Sequence, residues 1–122
     1  MKQILLVDDN ADNRENFAEI LEMGGYNVKT AGNGQQALNL LADELPDLIL
    51  CDVQMPGMSG FELREKVSEL DKQKNKKAVP FIFLSACSEK PELQLAESLG
   101  VSAYLVKPIE PRLVIEAIKN FI

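Results

Sequence analysis

Five short apolar segments recur along the chain, and their spacing predicts five β-strands. The segments are residues 4–7, 28–31, 48–51, 81–84 and 103–106. All but the second are nearly continuous apolar runs, which are typical of strands buried on both faces of a sheet. The second alternates apolar and polar positions from Tyr26 through Val28 to Thr30, which indicates a half-exposed strand at the sheet edge.

Apolar residues at helical spacing follow each predicted strand and predict five helices. The stripes are Phe17, Ile20 and Leu21; Ala37, Leu38, Leu41 and Leu45; Leu63, Val67 and Leu70; Leu95, Ala96 and Leu99; and Val114, Ala117, Ile118 and Phe121. Gly24 and Gly25 mark the end of the first helix, and Gly100 marks the end of the fourth. Asn10 suits the N-cap of the first helix, and Asp12 suits its first turn, where the helix dipole favours a carboxylate.

The strict alternation of strands and helices predicts an α/β fold, a doubly wound (βα)5 three-layer sandwich. Each connection is long enough to hold a helix, so the five strands run parallel with right-handed crossovers. We expect a single domain over residues 1–122, without a linker or repeat. In such sheets ligands bind outside the carboxyl ends of the strands, near the topological switch point.

Composition and charge limit the kinds of molecule that this protein is expected to bind. The chain has 122 residues, with 13 basic and 19 acidic side chains and a net charge of −6. An acidic surface argues against direct binding of nucleic acid. No apolar run approaches the ~18 residues that would span a bilayer, and the N-terminus does not resemble a signal peptide. The lysine-rich residues 71–77 are predicted to be a solvated helix end and loop, with a basic docking patch as the alternative.

Histidine is absent, which excludes Ser-His-Asp catalysis, histidine-ligated zinc and any role as a phosphohistidine carrier. The two cysteines, Cys51 and Cys87, each follow an apolar run and do not have the spacing of metal ligands. Free buried thiols are common, so we expect no structural disulfide and a reducing, cytoplasmic location.

Polar residues stand directly after four of the five predicted strands. They are Asp8 and Asp9 after Val7, Asp52 after Cys51, Ser85 after Leu84, and Lys107 after Val106. Three converging carboxylates raise one another's pKa and favour a bound cation. Oxygen ligands without histidine or thiolate favour a hard ion, Mg²⁺ or Mn²⁺. Lys107 is the natural counter-charge and Ser85 a donor to a phosphoryl oxygen; alternatively, Lys107 is an exposed loop lysine and Ser85 a helix or turn cap.

These motifs resemble the receiver domain of bacterial two-component response regulators, and in particular chemotaxis-regulator-like receivers. They are VDDN at residues 7–10, DVQMPGMSG at 52–60, SA at 85–86 and YLVKP at 104–108. The resemblance covers essentially the whole chain and keeps the order and spacing of the family's motifs. It implies a flavodoxin-like sheet with strand order 2-1-3-4-5.

The resemblance also implies a phosphorelay function. Asp52 would accept a phosphoryl group from the phosphohistidine of a sensor kinase or histidine phosphotransfer protein. Asp9, Asp52 and the main-chain carbonyl of Gln54 would bind Mg²⁺, with Asp8 acting largely through water. The family is not a class of enzyme in the usual sense, since a receiver catalyses only its own phosphorylation and dephosphorylation.

Further residues of the family's motifs are implied to transmit the signal. Lys107 and Ser85 would contact the phosphoryl oxygens, and the Lys107–Pro108 peptide bond would be cis. Ser85 and Tyr104 would act as the switch, altering the surface of the fourth helix, fifth strand and fifth helix toward an output protein or fused output domain. The family's habit is a monomer or weak dimer.

Three alternatives lie outside this function. Gly32, Gly34 and Ala37 fit a dinucleotide-binding fingerprint, but that fingerprint is not in the first strand-to-helix turn and the nearby carboxylates would repel a pyrophosphate. A dehalogenase-type phosphatase would need an acid where Gln54 stands. No Walker-type nucleotide site occurs.

Two alternatives lie within the family. A degenerate receiver would act as a phosphorylation-independent binding module. Asn13 and Arg14 after the Asp-Asp-Asn triplet are typical of receivers attached to hybrid histidine kinases, so this chain could be such a receiver.

Overall fold

Among the residues that it describes, the computed structural model has ten elements in which strands and helices alternate. It describes residues 1–74, 79–86 and 89–122, without the side chains of 71–74. The elements are β1 Gln3–Val7, α1 Ala11–Met23, β2 Asn27–Ala31, α2 Gly34–Asp43, β3 Leu48–Asp52, α3 Gly60–Lys74, β4 Phe81–Ser85, α4 Lys90–Ser98, β5 Ala103–Val106 and α5 Pro111–Lys119. The predicted (βα)5 order is confirmed.

The five strands form one parallel sheet in the order β2-β1-β3-β4-β5, as the resemblance implied. The chain leaves β1 toward β2 on one side and returns to β3 on the other, so the switch point lies between β1 and β3. The register pairs Val7 with Cys51 and Ser85 with Val106. The polar residues that follow these strands are therefore brought to one edge of the sheet.

Side chains alternate between the two faces of each strand and build two separate cores. On one face, Leu5, Val7 and Ile49 pack with buried residues of α2, α3 and α4. On the other face, Ile4 and Leu6 pack with buried residues of α1 and α5. The helices thus cover both faces, which confirms the three-layer architecture.

The first helix begins and ends as predicted. The side chain of Asn10 accepts a hydrogen bond from the Asn13 amide at 3.0 Å, and Asp12 lies in the first turn. Gly24 follows the last helical residue, and Gly25 takes a positive φ of 93°, a conformation that favours glycine. Asn33 caps α2 in the same way as Asn10 caps α1.

The prediction for β5 was wrong in one respect. Its apolar sequence indicated a strand buried on both faces, but it lies at the sheet edge, is only partly buried, and leaves Val106 39% exposed. The predicted edge position of β2 is confirmed. In this strand Thr30 is exposed and Val28 is half-buried. Composition could not separate the two strand types, because exposure depends on the strand order and on how the helices cover each edge.

Three apolar positions depart from the predicted helical stripes. Leu45 lies beyond the end of α2, where Glu44 has left the helical conformation, and packs against the core from the following loop. Leu95 is 42% exposed on α4, so Ala96 and not Leu95 is the buried residue there. Phe121 lies beyond α5 and is 41% exposed.

Two of the sequence predictions fall largely outside the described residues. In the lysine-rich stretch at 71–77, residues 71–74 lie in α3 without a description of their side chains, and residues 75–77 lie outside the described residues. Cys87 is also outside the described residues, whereas Cys51 is a free, buried thiol. Within the described ranges, no helix has the length and apolar content to cross a membrane.

Candidate functional site

The turn that follows β1 holds two carboxylates in different environments. The Asp8 amide continues the sheet by donating to the Ala31 carbonyl at 3.1 Å. The Asn10 amide donates to Asp8 Oδ1 at 2.9 Å, so the turn folds back on the carboxylate. Asp8 is fully buried and Asp9 is exposed. The turn therefore places the Asp8 carboxylate in the protein interior and the Asp9 carboxylate on the solvent side of the site.

Asp52 is the last residue of β3 and is only 7% exposed. Its Oδ1 accepts a hydrogen bond from the Gln54 amide at 3.3 Å. The next residue, Val53, donates to the Leu84 carbonyl at 3.0 Å and accepts from the Gly60 amide at 2.9 Å. The loop after β3 is thus tied both to β4 and to the start of α3, which holds the Asp52 main chain in place.

The three carboxylates meet in one cluster. Asp8, Asp9 and Asp52 each offer an oxygen atom, and these atoms all lie within 4.8 Å of one another. Burial raises the pKa of Asp8; the Asn10 amide and Lys107 oppose this rise, and the charges of Asp52 and Asp9 add to it. Negative charge at this edge is therefore electrostatically unfavourable without a cation.

Lys107 supplies one positive charge to the cluster. Its Nζ lies 3.1 Å from Asp52 Oδ2 and 3.9 Å from Asp8 Oδ2. Its main chain is held as well, because its amide donates to the Ser85 carbonyl at 2.7 Å. The Lys107–Pro108 peptide bond is cis, as the resemblance implied. Lys107 is therefore part of the cluster and is not an exposed loop lysine.

The donor set of this cluster fits a hard divalent cation. All its side-chain donors are carboxylate oxygens, which Mg²⁺ and Mn²⁺ prefer. Asp8 Oδ2 is buried and accepts no hydrogen bond within the described part of the chain. A buried carboxylate oxygen without a hydrogen bond is costly, and the water of a hydrated cation would satisfy it.

The remaining predicted site residues, Ser85, Tyr104 and Gln54, differ in exposure. Ser85 ends β4 and is fully buried. Tyr104 is half-buried on β5, with its ring edge-on to Phe83 at a centroid distance of 6.3 Å. Gln54 is exposed, and its amide is the Asp52 partner given above.

Sequence reasoning missed one contact beside the cluster. The Arg14 guanidinium donates from Nη1 to the main-chain oxygen of Asp8 at 2.8 Å. Arg14 entered the sequence analysis only as part of a family pattern. Its position one helical turn after Asn10 was the available signal, since residues three and four apart share a helix face.

Cys51 lies directly before Asp52 and is buried beneath the site. Its Sγ lies 3.2 Å from the Asp52 carbonyl oxygen. Burial raises the pKa of this thiol well above its usual value, and the charges of Asp52 and Asp8 raise it further. A thiol with a raised pKa is a poor nucleophile, so Cys51 contributes packing and not chemistry.

Comparisons with known proteins agree with this geometry. The family model described as "Response regulator receiver domain" matches residues 4–119. The chain is 39% identical over 118 residues to the phosphate regulon transcriptional regulatory protein PhoB of Pseudomonas aeruginosa, covering 97% of this chain and 50% of PhoB. It is 33% identical over 121 residues to the polar-differentiation response regulator DivK of Brucella anthropi, covering 99% of this chain and 96% of DivK.

One solved structure of similar fold is a complex with a bound ligand. It is the response regulator protein TrrA from Thermotoga maritima in complex with Mg(2+)-BeF, with a TM-score of 0.86 and 31% identity. The match covers 100% of each chain. On these matches, with the sheet order and the edge chemistry already described, this chain belongs to the response regulator receiver domain family.

Proposed function

We propose that the protein is a phosphorylation-controlled receiver in which Asp52 accepts a phosphoryl group in a Mg²⁺-dependent reaction. The observation that carries the proposal is the cluster itself. Lys107 Nζ lies 3.1 Å from Asp52, and the Asp8 and Asp9 oxygens lie within 4.8 Å of the Asp52 carboxylate. Three carboxylates and one ammonium group therefore share one edge, which is the set of groups that phosphoryl transfer with Mg²⁺ would use.

Asp52 is the nucleophile in this proposal. One of its carboxylate oxygens attacks phosphorus in line, and an O–P bond forms while the P–N bond of the donor phosphohistidine breaks. The departing imidazole nitrogen keeps the bonding electron pair and takes up a proton. Hydrolysis of the resulting aspartyl phosphate by water later restores the carboxylate and releases inorganic phosphate.

The neighbouring side chains hold and neutralise the phosphoryl group. Lys107 exchanges part of its ion pair with Asp52 for the incoming phosphoryl oxygens, and the Ser85 hydroxyl donates to another oxygen. The residues that would hold Mg²⁺ are Asp9, Asp52 and the main-chain oxygen of Gln54, with Asp8 acting through water. When bound, Mg²⁺ supplies positive charge that neutralises the phosphoryl oxygens.

The phosphoryl group changes the surface formed by α4, β5 and α5. Phosphorylation adds about one unit of negative charge relative to the bare carboxylate. Ser85 moves toward the new oxygens, and the space it leaves lets the half-buried Tyr104 ring turn inward. A switch from 1:99 to 99:1 requires about 5.5 kcal/mol of differential stabilisation, which several charge-assisted hydrogen bonds can supply.

The partners follow from this chemistry. The donor is a sensor histidine kinase or a histidine phosphotransfer protein, because the chain itself has no histidine. The output is a downstream protein or a fused domain, in the reducing environment of the cytoplasm. The match spans 96% of DivK and 50% of PhoB, which extends well beyond the matched region. A receiver of a hybrid kinase is the second arrangement, favoured by Asn13 and Arg14.

The test of this function is phosphorylation by acetyl phosphate, followed by intact-mass spectrometry. With Mg²⁺ the wild type should gain the mass of one phosphoryl group, and with a chelator in excess it should gain none. An unmodified protein in the presence of Mg²⁺ would sink the proposal and favour the phosphorylation-independent binding module. Equal modification with and without the chelator would reject the metal dependence.

Metal binding should also appear as stabilisation. Millimolar Mg²⁺ should raise the melting temperature, because it binds the carboxylates where folding has brought them together and not in the unfolded chain. An Asp9→Asn variant should lose most of that rise. Asp12→Asn is the matched control, since Asp12 is exposed in the first turn of α1 and should keep the full rise. A rise that survives in Asp9→Asn would count against the assigned ligand.

A further inference from the structure

Arg14 holds both sides of the turn that carries Asp9. Its side chain donates from Nη1 to the Asp8 carbonyl at 2.8 Å, and its main-chain amide donates to the Asn10 carbonyl at 2.9 Å. The Asp8 carbonyl belongs to the peptide group that joins Asp8 to Asp9. The Arg14 side chain therefore restrains the peptide group directly before Asp9, while its amide holds the carbonyl of Asn10, the residue after Asp9.

Gly32, in the loop after β2, leaves the space in which the guanidinium lies. A Cβ placed on Gly32 would be 3.1 Å from Arg14 Nη1 and 3.3 Å from Gln36 Oε1. The Gly32 amide is itself fixed, since it donates to Gln36 Oε1 at 2.7 Å. The space is tighter than a side chain normally occupies, so a residue larger than glycine would press on the guanidinium.

The restraint on the turn matters because repulsion among the three carboxylates acts to move Asp9 away from the cluster. Asp9 is exposed and lies close to two other carboxylates, so repulsion favours rotation of Asp9 toward solvent. A turn held at two carbonyls resists that rotation. Residues that orient metal ligands without touching the metal typically change metal affinity about 10–100-fold when they are replaced.

We propose that Arg14 is a positioning residue for Mg²⁺ binding, which keeps Asp9 at the acidic cluster through its hydrogen bond to the Asp8 carbonyl. The proposal rests on the function proposed above. In this role Arg14 strengthens Mg²⁺ binding, whereas its positive charge alone would weaken it. A positive charge beside the site repels Mg²⁺, so an electrostatic role predicts tighter binding when Arg14 is removed, whereas a positioning role predicts weaker binding.

The experiment measures the Mg²⁺ dissociation constant by isothermal titration calorimetry at a temperature where circular dichroism shows each variant folded. Arg14→Met should raise the dissociation constant about tenfold. Arg112→Met is the control of equal charge, because Arg112 is exposed and pairs only at 3.7 Å with Glu110. Its dissociation constant should stay equal to the wild-type value or fall slightly.

Gly32→Ala provides a second test that leaves the charge of Arg14 unchanged. The added methyl group would shift the guanidinium by a few tenths of an ångström from its place beside the Asp8 carbonyl, so the dissociation constant should also rise. The proposal requires both rises, and an unchanged or lower dissociation constant in either variant overturns it. If the wild type itself binds no Mg²⁺, the proposed metal site fails; if the wild type binds and the variants bind equally well, only the role of Arg14 fails.

Discussion

An Asp52→Asn variant is expected to take up no phosphoryl group from acetyl phosphate and Mg²⁺ under conditions that modify the wild type. The amide has almost the shape of the carboxylate but lacks the negative charge and nucleophilic oxygen. It can still accept the hydrogen bond from the Gln54 amide, which is 3.3 Å from Oδ1 in the wild type. Loss of phosphorylation would therefore reflect chemistry and not a disrupted loop.

Asp47→Asn is the matched control for this experiment. Asp47 lies one residue before β3, at the opposite end of the strand from Asp52, and its carboxylate accepts a hydrogen bond from the Gln3 amide at 2.7 Å. This variant should gain one phosphoryl group like the wild type, as read by intact mass. Modification of Asp52→Asn to the wild-type extent would show that another residue is the acceptor.

A Gly60→Ala variant is expected to lose about 3 kcal/mol of unfolding free energy through overpacking. Gly60 begins α3 and is buried, and a Cβ there would lie 2.6 Å from the Asp52 carbonyl oxygen and 2.9 Å from Val53 Cα. Both atoms belong to main chain that β4 and α3 hold in place, so neither can move without breaking hydrogen bonds. The melting temperature should fall by about 10 °C in a domain of this size.

Gly24→Ala tests whether this loss comes from the backbone contact. A Cβ on Gly24 would meet its nearest neighbour, Ile115 Cδ1, at 2.9 Å, and that atom is the end of a flexible side chain. We expect a change of less than about 1 kcal/mol, because a side-chain end can move at small cost. Equal destabilisation of the two variants in thermal or denaturant unfolding would contradict this account of Gly60.

The meeting of Asp8, Asp9, Asp52 and Lys107 at one edge of the sheet could be predicted from the sequence because the relevant signal is local. A carboxylate, hydroxyl or lysine directly after an apolar strand must lie at the carboxyl edge, whatever the details of packing. Strand alternation adds that Asp8, two residues after Leu6, and Asp52, two residues after Leu50, share one side of the sheet. The contact of both with Lys107 follows once the strands are in register.

The features that could not be predicted depend on how elements that are distant in the sequence pack against one another. The difference in exposure between Asp8 and Asp9 was not predicted, yet Asp8 is fully buried and Asp9 is exposed. The hydrogen bond from Arg14 to the Asp8 carbonyl requires a particular conformation of the Arg14 side chain. It also requires glycine at position 32, where a Cβ would lie 3.1 Å from Arg14 Nη1. The exposure of Leu95 depends on how α4 lies on the sheet, which apolar periodicity does not specify.

The measurement that tests the central claim most directly is chemical trapping of the phosphorylated residue. Borohydride reduces an acyl phosphate to an alcohol, so phosphorylated aspartate becomes homoserine, which peptide mapping can locate. After treatment with acetyl phosphate and Mg²⁺, the account predicts homoserine at position 52, with Asp8 and Asp9 intact. Homoserine at Asp8, Asp9 or another acidic residue, with Asp52 unchanged, would contradict it.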